Sequence, residues 1–214
     1  MTPQEMRNAR YGPYVAEKMK KRNFDACYVT TKEEALAEAL SRIPEDSLVS
    51  WGGSLSVCQI GLIDAVKAGN YRVLDRDAAA SPEDRVERMR QALLSDVFLT
   101  SSNAISEDGC LINVDGGGNR VAAITYGPRR VIVIAGMNKI VPTVEDGVKR
   151  IQSVAAPVNM MRFLREDSTT PCSRTGRCAD CSAPDSICNH WVITRRSLTP
   201  GRIHVILVGE DLGF

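Results

Sequence analysis

TSSNAISEDGCLINVDGGGNRVAAITYGPRRVIVIAGMNK, residues 100–139, decides how the rest of the chain is arranged. Two apolar runs, Cys110-Leu111-Ile112 and Arg130 to Ala135, predict buried strands bounded by turn residues. Between them stands Asp115-Gly116-Gly117-Gly118-Asn119-Arg120. Each glycine weakens a helix or strand by about 0.5–1 kcal/mol relative to alanine, so three in a row build neither. They suit a backbone at positive φ, or a place where a ligand or another segment passes too close for a Cβ. Ser101, Ser102, Asn103, Ser106, Glu107, Asn138 and Lys139 gather at the predicted strand ends. Ligands of open α/β sheets sit beyond the carboxyl ends of the strands, which places a pocket here.

Upstream, Thr2-Pro3-Gln4-Glu5 is a capping box with proline at the first helical position. Gly12-Pro13 predicts a break or kink in that helix, and the basic run Lys18 to Arg22 suits its solvated C-terminus. A strand over 26–30 precedes a second capping box, Thr31 to Glu34, and a helix reaching about Ser41. Ser47 to Trp51 predicts a strand, followed by Gly52-Gly53-Ser54 and a helical pattern from Leu55 to Lys67. Strand, Gly-Gly-Ser turn and helix is a geometry that holds anions on helix N-terminal amides; a tight turn needing glycine explains it equally. Further strands are expected near 72–74 and 97–100. Between them lies a helix whose apolar positions are Val86, Met89, Leu93 and Leu94. Downstream, Val144, Val148, Ile151 and Ala155 predict an amphipathic helix ended by Pro157, with a short helix to Arg165. Two final strands cover 191–195 and 203–208.

Alternation of strands with helices predicts an α/β protein with a largely parallel sheet and helices on both faces. The division is residues 1–165 as the α/β domain, 166–190 as a cysteine-rich metal-binding loop, and 191–214 as strands returning to the domain. A net charge of +1 gives no reason to expect nucleic acid or an anionic membrane as partner. Without an apolar leader or a run of about 20 apolar residues, a cytoplasmic protein is expected.

Three stretches carry a resemblance. Ser50-Trp51-Gly52-Gly53-Ser54, residues 96–109 (DVFLTSSNAISEDG), and Asn119 to Ala123 followed by Gly127 to Val131 resemble the lactate-utilisation (LUD) domain family. The resemblance implies a fold like glucosamine-6-phosphate deaminase, ribose-5-phosphate isomerase and the CoA-transferases. It also implies a role in oxidation of lactate to pyruvate beside iron–sulfur partner proteins. Ser106-Glu107-Asp108-Gly109 looks like the turn bearing the nucleophilic glutamate of some CoA-transferases, with Asp in place of Asn. Glu107 is thus a candidate nucleophile or general base, or a surface turn residue. Lys139 is a candidate partner for a carboxylate or phosphate, or a solvated lysine. Gly52, Gly53, Ser54, Asn103, Gly116, Gly117, Gly118, Asn119 and Arg120 are the expected ligand contacts.

Cys27, Cys58 and Cys110 stand alone on apolar stretches and are expected to be small buried hydrophobes. Cys172, Cys178, Cys181 and Cys188 instead follow the spacing C-x5-C-x2-C-x6-C. The Cys178/Cys181 pair is the tight chelating unit, and residues 166–190 hold too little apolar surface to order themselves. Zinc or a [4Fe–4S] cluster would serve; the resemblance favours the cluster. His190, two residues past Cys188, could join a metal site, whereas His204 is expected to be structural.

Three functions compete. One is a small-anion site (carboxylate, phosphate or CoA-like) on an acyl- or CoA-transferase-like enzyme or a subunit of a lactate-oxidising complex. Another is an iron–sulfur electron-transfer or assembly subunit, and the third is a zinc-stabilised regulatory module.

Overall fold

A computed structural model describes all residues 1–214. The ten strands are β1 (Asp25–Val29), β2 (Leu48–Trp51), β3 (Arg72–Val73), β4 (Val97–Thr100), β5 (Ala104–Ser106), β6 (Leu111–Asp115), β7 (Arg130–Gly136), β8 (Ile140–Val141), β9 (His190–Thr194) and β10 (Ile203–Val208). The α-helices are α1 (Pro3–Lys20), α2 (Lys32–Ser41), α3 (Leu55–Gln59), α4 (Leu62–Ala68), α5 (Pro82–Gln91), α6 (Asn119–Thr125), α7 (Val144–Arg150), α8 (Ala156–Met161) and α9 (Pro171–Thr175).

Six strands form one parallel sheet in the order β1-β10-β7-β4-β2-β3. Its central strands are apolar at nearly every position, with exceptions such as His204 of β10 and Thr100 of β4, because both faces are covered. In β7, Ile132 and Ile134 face α2, α3 and α4, joining Ala35, Val57, Leu62 and Val66. Val131, Val133 and Ala135 face the other way, onto Val15 and Met19 of α1 and Ile124 of α6.

A second sheet, β8-β5-β6-β9, contains the antiparallel hairpin β5–β6. Leu111, expected in the main sheet, lies here instead. One face of the hairpin, through Ile105 and Leu111, packs into the α1 layer. Its other face, through Ala104, Ile112 and Val114, packs on Ile151 and Ala156. Burial of both faces removes the polar–apolar alternation that would have marked a separate sheet. The last two strands part company: β9 pairs antiparallel with β6, while β10 sits between β1 and β7.

Other expectations are corrected. Helix α1 carries its capping box, with the Thr2 hydroxyl accepting from the Glu5 amide at 3.2 Å and the Glu5 carboxylate from the Thr2 amide at 2.7 Å. It then runs unbroken through Pro13. Gly12 serves close packing instead, since a Cβ there would lie 2.0 Å from the Tyr28 ring. The helix expected from Leu55 to Lys67 is split in two by Gly61, whose φ of +73° ends one turn and starts the next. Pro157 does not stop the chain either; a π-helical turn, Ile151–Ala155, joins α7 to α8 and seats the proline in the first turn of α8. Helix α5 buries no residue, and Val86 and Leu94 are exposed. No helix is long and apolar enough to cross a membrane.

Candidate functional site

From β2 the chain moves outward to β3, whereas from β4 it moves the other way, through β7 to β10. Strand order therefore reverses between β2 and β4, and such a switch opens a crevice where the two following loops diverge. A cleft of about 280 Å³ lies there. Its wall comes from Gly53, Ser54 and Ser56 after β2, Ser101 to Asn103 after β4, Lys139 after β7, and Gly213 and Phe214 after β10. Val114 to Gly117, Asn119 and Arg120 close one side, and Arg76, Arg85, Asn159, Arg162 and Ile187 close the others.

Five cationic side chains thus face one small space: Arg76, Arg85, Arg120, Lys139 and Arg162. The only acidic side chain among them, Asp115, is already engaged. Its carboxylate accepts from the Gly118 amide at 3.0 Å and the Val121 amide at 3.3 Å, capping α6, and stands 3.5 Å from Arg120. Arg120 is clamped: it donates to the Ser101 carbonyl (3.1 Å), Asn113 Oδ1 (2.6 Å), Asn103 Oδ1 (2.9 Å) and the Val114 carbonyl (2.7 Å). Arg162 donates to the Gly53 carbonyl at 3.1 Å. Arg76 Nε is buried with no hydrogen-bond partner. A buried donor left orphaned is a group awaiting an acceptor.

Lys139 forms the floor. It is 3% exposed, and its Nζ donates to Ser56 Oγ and Ser101 Oγ, both at 2.9 Å. No carboxylate pairs with it. Burial, aided by the positive charges of Arg150 and Arg120, pulls its pKa from 10.5 to about 7.

The glycines are explained by contacts within the chain. A Cβ on Gly52 would meet the Arg120 stem at 3.2 Å, and one on Gly53 would meet an Arg76 guanidinium nitrogen at 2.7 Å. A Cβ on Gly116 would approach Ile187 Cα at 3.1 Å; Gly118 has φ +82° and lies against His190. Small residues here let arginines and a neighbouring loop close around the cleft. Gly52 and Gly118 therefore stand behind its wall, whereas Gly53, Ser54, Asn103, Gly116, Gly117, Asn119, Arg120 and Lys139 line it. The amide of Val57 is taken by Ser54 Oγ at 3.3 Å, so side chains rather than helix-terminal amides dominate the charge.

Glu107 does not join them. The β5–β6 turn directs it to α1, where the Tyr11 hydroxyl donates to its carboxylate at 2.8 Å, while Asp108 pairs with Arg22. The burial of Tyr11 and the Glu107 charge push the tyrosine up to about 12. One cleft holding Glu107 with the glycine turns is thus corrected, because the hairpin belongs to the second sheet. Sequence reasoning missed Arg76, Arg85, Arg162 and Asn159, which come from segments without a motif, and Ser56, two residues past the Gly-Gly-Ser turn. A surplus of arginines on the otherwise unburied 76–90 segment was the available signal.

Cys172, Cys178, Cys181 and Cys188, all half-buried, line a separate cavity of about 40 Å³ with Pro157, Ile187 and Trp191. Burial, then the neighbouring cysteines, raises the Cys188 thiol to about 11. No three His, Cys, Asp or Glu side chains are gathered tightly enough around one point to hold a single ion. His190 packs on Gly118, away from this cavity. His204 is buried with Nδ1 3.1 Å from the Asp25 carboxylate, a structural pairing. Of the isolated cysteines only Cys110 is fully buried; Cys27 is half-buried and Cys58 exposed.

The molecule is thus an open parallel α/β protein with a cation-lined crevice at the switch point of its sheet. Residues 14–208 match the LUD domain, and the chain belongs to that family. It is similar in structure to a DUF162 family protein from Deinococcus radiodurans, with TM-score 0.52 and 17% identity, covering 94% of this chain and 98% of the other. No curated protein matches it.

Proposed function

We propose that the chain binds a small, multiply anionic metabolite, a carboxylate or phosphate compound, in the switch-point cleft, in the service of carboxylate utilisation. The observation that carries this is the charge balance: five cations around about 280 Å³, against Asp115, already neutralised by Arg120, and Asp77 behind the wall, paired with Arg85 at 2.8 Å and 3.7 Å from Arg76. The volume lies just below the usual range of small-molecule sites, which starts at about 300 Å³. It suits a three- to six-carbon anion better than the whole of a CoA. Glu107, outside the cleft, takes no part.

The four cysteines are proposed to hold a [4Fe–4S] cluster rather than zinc. Tetrahedral zinc at about 2.3 Å from each sulfur needs sulfurs only ~3.8 Å apart. The thiols share one cavity, and the choice of cluster over zinc rests on the family's association with iron–sulfur proteins. When bound, the cluster would supply one-electron chemistry, exchanged with an iron–sulfur partner protein. Cys172, Cys178, Cys181 and Cys188 would be its ligands.

Two measurements test this. Calorimetry with inorganic phosphate, lactate and pyruvate should give saturable binding that Arg76→Gln weakens. Anaerobically purified protein should contain iron and visible absorbance, both lost in Cys178→Ala and Cys181→Ala. No binding of any probe removes the anion site, and stoichiometric zinc without iron removes the cluster.

A further inference from the structure

Lys139 is placed unlike the other cations of the cleft. Arg85, Arg120 and Arg162 are anchored on carbonyls and side-chain oxygens around its walls. Lys139 lies at the floor, held only by the hydroxyls of Ser56 and Ser101. The backbone of Gly213 lies over it so closely that a Cβ there would stand 3.2 Å from Nζ. A lysine meant only to attract anions needs its charge and gains from a carboxylate partner. Here two cations, Arg120 and Arg150, act on it, and no anion does.

We propose that Lys139 is a nucleophile that forms an imine with an anion bearing an aldehyde or ketone carbonyl, the arginines holding the anionic end. This deepens the anion-binding reading of the same cleft and rests on it. In the step, the Nζ lone pair adds to the carbonyl carbon and the C=O π electrons move to oxygen. Both Nζ hydrogens then leave with that oxygen as water, and nitrogen ends doubly bonded to carbon. Hydrolysis reverses the sequence, and no oxidant or reductant is required. The Ser56 and Ser101 hydroxyls, each 2.9 Å from Nζ, are the groups through which protons pass. A free amine is needed for attack. With the ammonium pKa drawn from 10.5 to about 7, the neutral form at pH 7 is enriched on the order of 10³-fold over an ordinary lysine.

The test uses the full chain with sodium cyanoborohydride and one of three probes: glyoxylate, glycolaldehyde phosphate, or uncharged glycolaldehyde. Intact mass and peptide mapping follow. The two anionic aldehydes should each leave a single reduced adduct on Lys139, blocked by inorganic phosphate and absent from Lys139→Gln. Lys149→Gln, altering an exposed lysine of α7, should label like the wild type. Uncharged glycolaldehyde should label Lys139 at least about tenfold more slowly, the factor of one lost charge-assisted contact. Equal labelling by charged and uncharged probes would overturn the substrate class. Phosphate binding by calorimetry without a Lys139 adduct would overturn the imine and leave the anion site standing. Absence of both would remove the two together.

Discussion

Replacing Lys139 with methionine isolates the energetic effect of a buried amine. In the unfolded chain the ammonium titrates near 10.5, and in the folded protein near 7. Between these values the unfolded state holds a proton that the native state has released, so stability rises with pH across that window. Below pH 7 both states are charged, and the full penalty is 3.5 units at about 1.4 kcal/mol each, about 4–5 kcal/mol. Methionine has nearly the same length and no charge. It also forfeits the two serine hydrogen bonds, about 1 kcal/mol each, but that loss does not vary with pH. The difference in unfolding free energy between variant and wild type, from urea denaturation, should therefore shift by about 2–3 kcal/mol against the variant between pH 6 and pH 9. Subtraction cancels titration elsewhere. Inorganic phosphate in the cleft should favour the ammonium and flatten the slope. A difference constant from pH 6 to 9 would show that the lysine keeps an ordinary pKa, and the reasoning from its burial would fail.

Arg120→Met removes donors from four acceptors around the cleft wall and should destabilise by about 3–5 kcal/mol, as when one partner of a buried charged network is lost. A loss under ~1 kcal/mol in urea denaturation would mean that water replaces the guanidinium. At Gly136 a Cβ would fall 2.5 Å from the Leu212 amide nitrogen and 2.6 Å from the Glu210 carbonyl oxygen, both backbone atoms unable to rotate away. Gly136→Ala should therefore lose about 1–3 kcal/mol. Gly61→Ala, at φ +73° with open space around it, should lose only the left-handed backbone penalty of about 1–2 kcal/mol. Equal melting temperatures for Gly136→Ala and the parent would show that the 209–214 segment yields freely.

Strands β7 and β10 were legible because strands covered on both faces form nearly continuous apolar runs, Val131 to Ala135 and Val205 to Val208. The caps at Thr2 and Thr31 were legible because they are local: a hydroxyl meets an amide three residues on. The second sheet was hidden by its own burial. Its partners β8 and β9 lie far from β5 and β6 in sequence, and β8 has only two residues. Helix α5 misled because Val86, Met89, Leu93 and Leu94 keep helical spacing, although its flank of arginines holds it at the surface. In the cleft, glycine turns announced themselves through backbone demands. Arg76 and Arg162 reach it only through the reversal of strand order, which no local pattern encodes. Glu107 shows the opposite error, a local likeness carried to the wrong side of the molecule by a hairpin.

Ile187 belongs to two cavities at once. Its backbone presses on Gly116 in the wall of the anion cleft, and the next residue is Cys188. A guest that draws the four sulfurs inward must fix this short piece of chain, and a ligand seated against Gly116 must do the same from the other side. Were the proposed anion and cluster both bound, any coupling between them through this segment would be reciprocal: the factor by which one guest changed the affinity of the other would be the same in both directions. A redox change at a bound cluster that altered the stance of Cys188 would then change the cleft's hold on the proposed anion, and the anion would shift the reduction potential by the equivalent free energy.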